Sequence, residues 1–138
     1  MKSCRILVVD DSLITVRKIS QALQDLGYEI AGTSLSGEDA LLKFRELSPD
    51  LVTMDITLPG MNGIETVKGI MEIDPAALII MITSHGQEQM VIDSIDAGAR
   101  GYVMKPVKPE ILKETVEKVL ANYSVNPGSD TGLGGDRD

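Results

Sequence analysis

The chain has 138 residues, 43% hydrophobic and 25% charged, which suits one domain with a single core rather than a disordered or disulfide-stapled chain. Its formal net charge of −8 argues against direct nucleic-acid binding, because phosphate backbones require clustered Lys and Arg. A lone Cys4 excludes an internal disulfide, and no stretch approaches the roughly 18 apolar residues that span a bilayer, so a cytoplasmic protein without membrane insertion is expected.

Strand-like and helix-like periods alternate five times along the chain. Arg5–Val9 is a short continuous apolar run, as expected of a strand buried on both faces. From Ser12 to Leu26 the period changes. Leu13, Val16, Ile19, Leu23 and Leu26 recur at helical steps, and Gly27 supplies the stop. Tyr28–Thr33 reads as a second strand. Ser36 offers an N-cap to a helix carrying Ala40, Leu41, Phe44 and Leu47 inward, closed by Pro49.

Leu51–Met54 is a third strand, followed by a turn-rich loop and a helix from about Ile64 with Val67, Ile70 and Met71 on one face. That helix must stop before Pro75. Leu78–Ile82, purely apolar, is expected to be a central strand rather than an edge. A helix over Gln87–Ala97 ends at Gly98, and Gly101–Met104 is the fifth strand. Pro109 opens a last helix with Ile111, Leu112, Val116, Val119 and Leu120 inward. Five such units imply a doubly wound α/β domain with right-handed crossovers, since an eight-unit barrel needs roughly 250 residues. Residues 1–123 form this domain. Residues 124–138, rich in Gly and Asp, are expected to be a flexible tail.

Four of the apolar runs end in chemistry: Asp10-Asp11, Asp55, Thr83 and Lys105-Pro106. Ligands of open parallel sheets bind outside the carboxyl ends of the strands, so these side chains are expected to share one site. Three carboxylates together repel one another, by roughly 4 kcal/mol for a pair about 4 Å apart at an effective dielectric near 20. Either one holds a proton or a cation sits among them. A hard divalent ion suits oxygen ligands, and Mg²⁺ keeps positions open for phosphate oxygens. Lys105 then offers a point cation and Thr83 a hydroxyl donor to a phosphoryl group. Asp55, alone at its strand end, is the natural nucleophile, and its attack would yield an acyl phosphate.

The motifs "ILVVDDS", "VTMDITLPGMNGIE", "MITS" and "GYVMKPV" resemble the receiver domain of two-component response regulators, in the family's order and spacing, from Arg5 to about Tyr123. The resemblance implies a flavodoxin-like sheet of strand order 2-1-3-4-5, with Asp55 the phosphoacceptor and Mg²⁺ held by Asp10, Asp11, Asp55 and the Thr57 backbone carbonyl. It implies a switch pair in Thr83 and Tyr102, a phosphate-contacting Lys105 and a cis peptide before Pro106. Thr57 and His85 stand at variable positions and would tune how long the acyl phosphate lasts. Ser84 and Val107 depart from the commoner Ala and Phe, yet no site residue is missing. The stretches "MDITLPGMNGIETVKGIMEIDP" and "GQEQMVIDSIDAGA" look most like stand-alone chemotaxis receivers of the CheY type. Implied partners are a sensor histidine kinase and a downstream protein bound through the fourth helix, fifth strand and fifth helix. A monomer is expected, with dimerisation on phosphorylation as the alternative.

Singly, each residue has a plainer explanation. Asp10-Asp11-Ser12 would serve as an N-cap cluster, Asp55 as a turn residue, Thr83 as a strand-end cap, Tyr102 as edge packing, and Cys4 as a strand-edge residue. His85 has no orienting carboxylate beside it and reads as a loop residue at the mouth. The seven methionines read as core filler. Only the joint arrangement supports a phosphoacceptor switch. Two other functions use the same residues: a phosphorelay intermediate, and a Mg²⁺-dependent phosphohydrolase with an aspartate nucleophile. The latter usually carries a second acid two residues after the nucleophile, where this chain has Thr57. Nucleotide-binding glycine loops of either common pattern are absent.

Overall fold

The structure is a computed structural model that describes residues 4–84 and 88–123. In chain order its elements are β1 (Arg5–Val9), α1 (Leu13–Asp25), β2 (Glu29–Ser34), α2 (Gly37–Leu47), β3 (Leu51–Met54), α3 (Gly63–Ile73), β4 (Ile79–Thr83), α4 (Glu88–Ala97), β5 (Gly101–Met104) and α5 (Pro109–Tyr123). The five strands form one parallel sheet in the order β2-β1-β3-β4-β5. This is the doubly wound, flavodoxin-like fold. The strand order reverses at β1 and β3, which opens a crevice at their carboxyl ends.

Period-two alternation divides the sheet residues between two cores. Leu7, Val9, Val52, Met54, Ile79 and Met81 pack with Ala40 and Phe44 of α2 and with Val67 and Ile70 of α3. On the other face, Ile6, Val8, Leu51, Ile80, Ile82 and Val103 meet Val16, Ile19 and Leu23 of α1 and Leu112, Val116 and Val119 of α5. Both faces of β1, β3 and β4 are therefore buried, and the strands read as unbroken apolar runs.

Local chemistry sets the helix ends. Ser12 and Ser36 each accept a backbone N–H of the first turn, from Thr15 and Asp39. Asn62 and Glu65 form a reciprocal capping box at the start of α3, with bonds of 2.9 and 3.0 Å. Gly27 takes φ +96° after α1, a conformation open to glycine. The Arg5 guanidinium donates to the carbonyls of Leu47 and Ser48, tying down the C-terminal end of α2.

Some expected details are corrected. β2 begins and ends one residue later than the apolar run, and β4 extends to include Thr83. Leu13 and Ile111, expected inward, are 52% and 43% exposed. Leu13 is the first residue of α1, where side chains tend to lean back toward the helix N-terminus and away from the packed turns. Ile111 lies one residue, about 100° of helix rotation, from the Leu112–Val116–Val119 stripe that does pack. Gln87, the expected start of α4, and the expected tail 124–138 lie outside the described residues.

Candidate functional site

Neighbouring strands carry the acidic side chains to one place. Val9 pairs with Met54, so the next residues, Asp10 and Asp55, leave the sheet side by side. Asp55 N–H donates to Val9 carbonyl at 3.0 Å, and Asp10 N–H donates to Ser34 carbonyl at 3.1 Å. Asp10 and Asp55 are buried while Asp11 is exposed, and one oxygen from each of the three lies within 4.8 Å of the others. Thr83 pairs with Met104, and its carbonyl accepts the N–H of Lys105 at 2.8 Å. From there the Lys105 ammonium reaches to 2.8 Å from Asp10 Oδ2 and 3.6 Å from Asp55 Oδ2. The structure thus brings together Asp10, Asp11, Asp55 and Lys105, with Thr83 at the adjoining strand end.

The loop after β3 is pinned from below. Gly63 N–H donates to Ile56 carbonyl at 2.7 Å, and a Cβ on Gly63 would lie 2.1 Å from Asp55 carbonyl oxygen. Only a glycine lets the α3 N-terminus approach the Asp55 backbone so closely. Ile56 and Leu58 are buried beneath this loop, whereas Thr57 is exposed at the rim and donates its N–H to Asp55 Oδ1 at 3.4 Å. Ser12 N–H donates to Asp10 Oδ1 at 2.9 Å, which fixes the other acidic turn.

Electrostatically the cluster has an excess of negative charge: three carboxylates face one ammonium. Burial, and then the Asp10 carboxylate, push the Asp55 pKa up to about 6, against the opposing pull of Lys105 and the Thr57 amide. Asp10 Oδ2 is buried and makes an ion pair with Lys105 but no hydrogen bond of proper geometry. An electron pair there remains available to a ligand. Hard anionic oxygens, a net excess of two negative charges and one exposed side to the cluster fit a divalent cation of the Mg²⁺ class.

Residues 6–117 match the response regulator receiver domain family. The chain belongs to that family. Among its relatives, the chemotaxis protein CheY of Thermotoga maritima is 45% identical over 83% of this chain and 96% of the relative. The chemotaxis protein CheY of Bacillus subtilis is 44% identical over 84% and 97%. Among solved structures, the CheX–CheY–BeF₃–Mg²⁺ complex of Borrelia burgdorferi superposes with a TM-score of 0.83 at 37% identity, covering 85% of this chain and 89% of that one. The chain is a response regulator of two-component signal transduction, a family of phosphoacceptor switches that bind Mg²⁺ at an acidic site.

Thr83 is fully buried at the end of β4. Tyr102, two residues ahead of Met104 on the edge strand β5, packs its ring on the core face shared with Met90 and Ala97 of α4. The Lys105–Pro106 peptide is cis. His85 lies outside the described residues. Cys4 is at the opposite end of β1, and burial, with the Asp50 charge, pushes its thiol up to about 11, so it carries no reactive thiolate. Sequence reading missed the Asn62–Glu65 cap and the contact at Gly63. The signal was present in the N-x-x-E spacing before an apolar run.

Proposed function

We propose that this receiver is a chemotaxis response regulator that takes a phosphoryl group from a histidine kinase onto Asp55 and thereby changes its affinity for a downstream protein. The observation that carries this reading is the cluster of three carboxylate oxygens within 4.8 Å, with the Lys105 ammonium 2.8 and 3.6 Å from two of them. An Asp55 oxygen attacks phosphorus, the O–P bond forms as the donor's bond to phosphorus breaks, and the product is an acyl phosphate. Asp10, Asp11, Asp55 and the Thr57 carbonyl would hold Mg²⁺, with Asp11, as the exposed member, able to bind it directly. When bound, the ion offsets the charge of the carboxylates and of the incoming phosphoryl oxygens. Lys105 contacts one phosphoryl oxygen and the Thr83 hydroxyl donates to another. Thr57 and His85 tune how long the acyl phosphate lasts. The chain therefore catalyses only its own phosphorylation and dephosphorylation.

Residues 1–123 act as the receiver unit, with 124–138 as an appended tail, in the cytoplasm and as a monomer that phosphorylation can dimerise. The output surface is the face of α4, β5 and α5. Exposed Ile92 and Ile95 on α4, Met104 on β5 and Ile111 on α5 support a protein partner there. Intact mass spectrometry after incubation with acetyl phosphate tests the assignment. One phosphoryl is expected on the wild type with Mg²⁺, and none with chelator or in Asp55→Asn. Equal labelling of the mutant contradicts it.

A further inference from the structure

The Asp10 carboxylate is aimed by its backbone, and that backbone is held from an unexpected side. Its N–H donates to the carbonyl of Ser34, the last residue of β2. Ser34 is only 2% exposed, and its hydroxyl donates to Asp39 Oδ2 at 2.6 Å. Lys43, one turn along α2, approaches the same oxygen at 3.2 Å and also donates to Thr33 carbonyl. A bulge sets up the arrangement. Ile6 pairs with Ile30 but Leu7 pairs with Gly32, so Ala31 is the extra residue, and the shifted register places Ser34 opposite Val9.

Asp39 is itself fixed. Its N–H donates to the N-cap Ser36. The neighbouring Gly37 is buried so tightly that a Cβ would lie 2.2 Å from Thr66 Oγ1 and 3.0 Å from Met61 carbonyl oxygen. The hydrogen bond from Ser34 holds the Asp39 carboxyl below its ordinary range, so it is an ionised acceptor at neutral pH. A buried serine hydroxyl thus couples the first turn of α2 to the backbone of Asp10.

We propose that Ser34 and Asp39 are positioning residues for the cation site: the Ser34–Asp39 hydrogen bond, braced by Lys43, sets the Asp10 carboxylate where Mg²⁺ binds. This inference rests on the acidic cluster being a Mg²⁺ site. Residues behind metal ligands typically govern affinity by ten- to a hundredfold, and one acting through a backbone amide should have a smaller effect, about three- to tenfold. The hydroxyl and carboxylate act as one unit, so losing both should cost no more than losing either.

The test is the Mg²⁺ dissociation constant by titration calorimetry, with thermal melts of the metal-free proteins alongside. Ser34→Ala and Asp39→Ala should each weaken binding about three- to tenfold, and the double mutant should match the singles. Asp39→Asn retains the acceptor oxygen and should stay near wild type. Labelling by acetyl phosphate should be slowed at low Mg²⁺ and recover at saturating Mg²⁺. A purely structural role lowers the melting temperature and leaves the dissociation constant within twofold in both single mutants; that result overturns the proposal, as would losses that multiply in the double mutant. Asp39 is at the surface side of the network, so its variants report even if Ser34→Ala folds poorly. Asp11→Ala separates the two levels. If it abolishes binding while Ser34→Ala and Asp39→Ala bind within twofold of wild type, only the positioning role fails; if the wild type binds no Mg²⁺, the cation site itself fails.

Discussion

Asp55 is subject to opposed influences that make its behaviour depend on pH. Its pKa of about 6, raised from 3.8, means that the metal-free native state binds a proton more tightly than the unfolded chain does. The stability this proton contributes is fully present below about pH 4 and is lost as pH rises through about 6. At neutral pH the ionised, metal-free Asp55 therefore destabilises the fold. Asp55→Asn should raise metal-free stability at pH 7 by about 1–3 kcal/mol, given roughly 1.36 kcal/mol per pKa unit, and the gain should shrink toward pH 4. Urea unfolding in chelator at both pH values measures it; an equal effect at both would contradict the assignment. Protons also compete with the cation, so the apparent Mg²⁺ affinity should fall as pH drops below about 6. At this scale the acidic residues, Thr83 and Lys105 were legible in the sequence because each directly follows an apolar run. Ser34 was not. Its role depends on a bulge and on a helix that only the folded chain brings against it.

Elements meet this site through close backbone approach, and α3 shows it most plainly. Gly63→Ala would place a methyl 2.1 Å from Asp55 carbonyl oxygen and 2.7 Å from Ile56 Cα, so the helix or the loop must move. Overpacking of this kind typically costs about 1–3 kcal/mol. Because the displaced backbone belongs to Asp55, the substitution should also reduce the Mg²⁺-induced rise in melting temperature. A mutant with wild-type stability and an unaltered Mg²⁺ response would show that the loop accommodates the methyl without cost to the site. The helices and strands themselves were largely readable from periodicity, since two buried core faces enforce it. Periodicity fails at the ends, where Leu13 and Ile111 continue a pattern that no neighbouring element covers. The capping box at Asn62 and the bulge at Ala31 are local, and hydrophobic spacing does not report them.

Across the whole molecule, a cation that binds only the folded state should stabilise it by RT ln(1 + [L]/Kd), about 2.7 kcal/mol at a hundredfold excess over Kd. The melting temperature should rise by several degrees with Mg²⁺. Asp11→Ala should abolish the rise without harming the fold, because Asp11 is exposed; an unchanged rise would remove Asp11 from the ligand set. Phosphorylation then acts as a population shift. A phosphoryl group adds about −2 charge and strong acceptors, and it favours one conformation only by interacting differently with the two. Thr83 links the site to β5 through its pairing with Met104, and Tyr102 on that strand packs against the same core cluster as Met90 and Ala97 of α4. A partner docked on the α4–β5–α5 face should accordingly bind the phosphorylated form more tightly and, by linkage, favour the active state. The most direct measurement is amide NMR of the protein with Mg²⁺, before and after addition of beryllofluoride as a phosphoryl mimic. Shifts should run from Asp55 through Thr83 to Tyr102 and α4 in the wild type and be absent in Asp55→Asn. Changes confined to the loops around Asp10 and Asp55, or equal changes in the mutant, would contradict the switch.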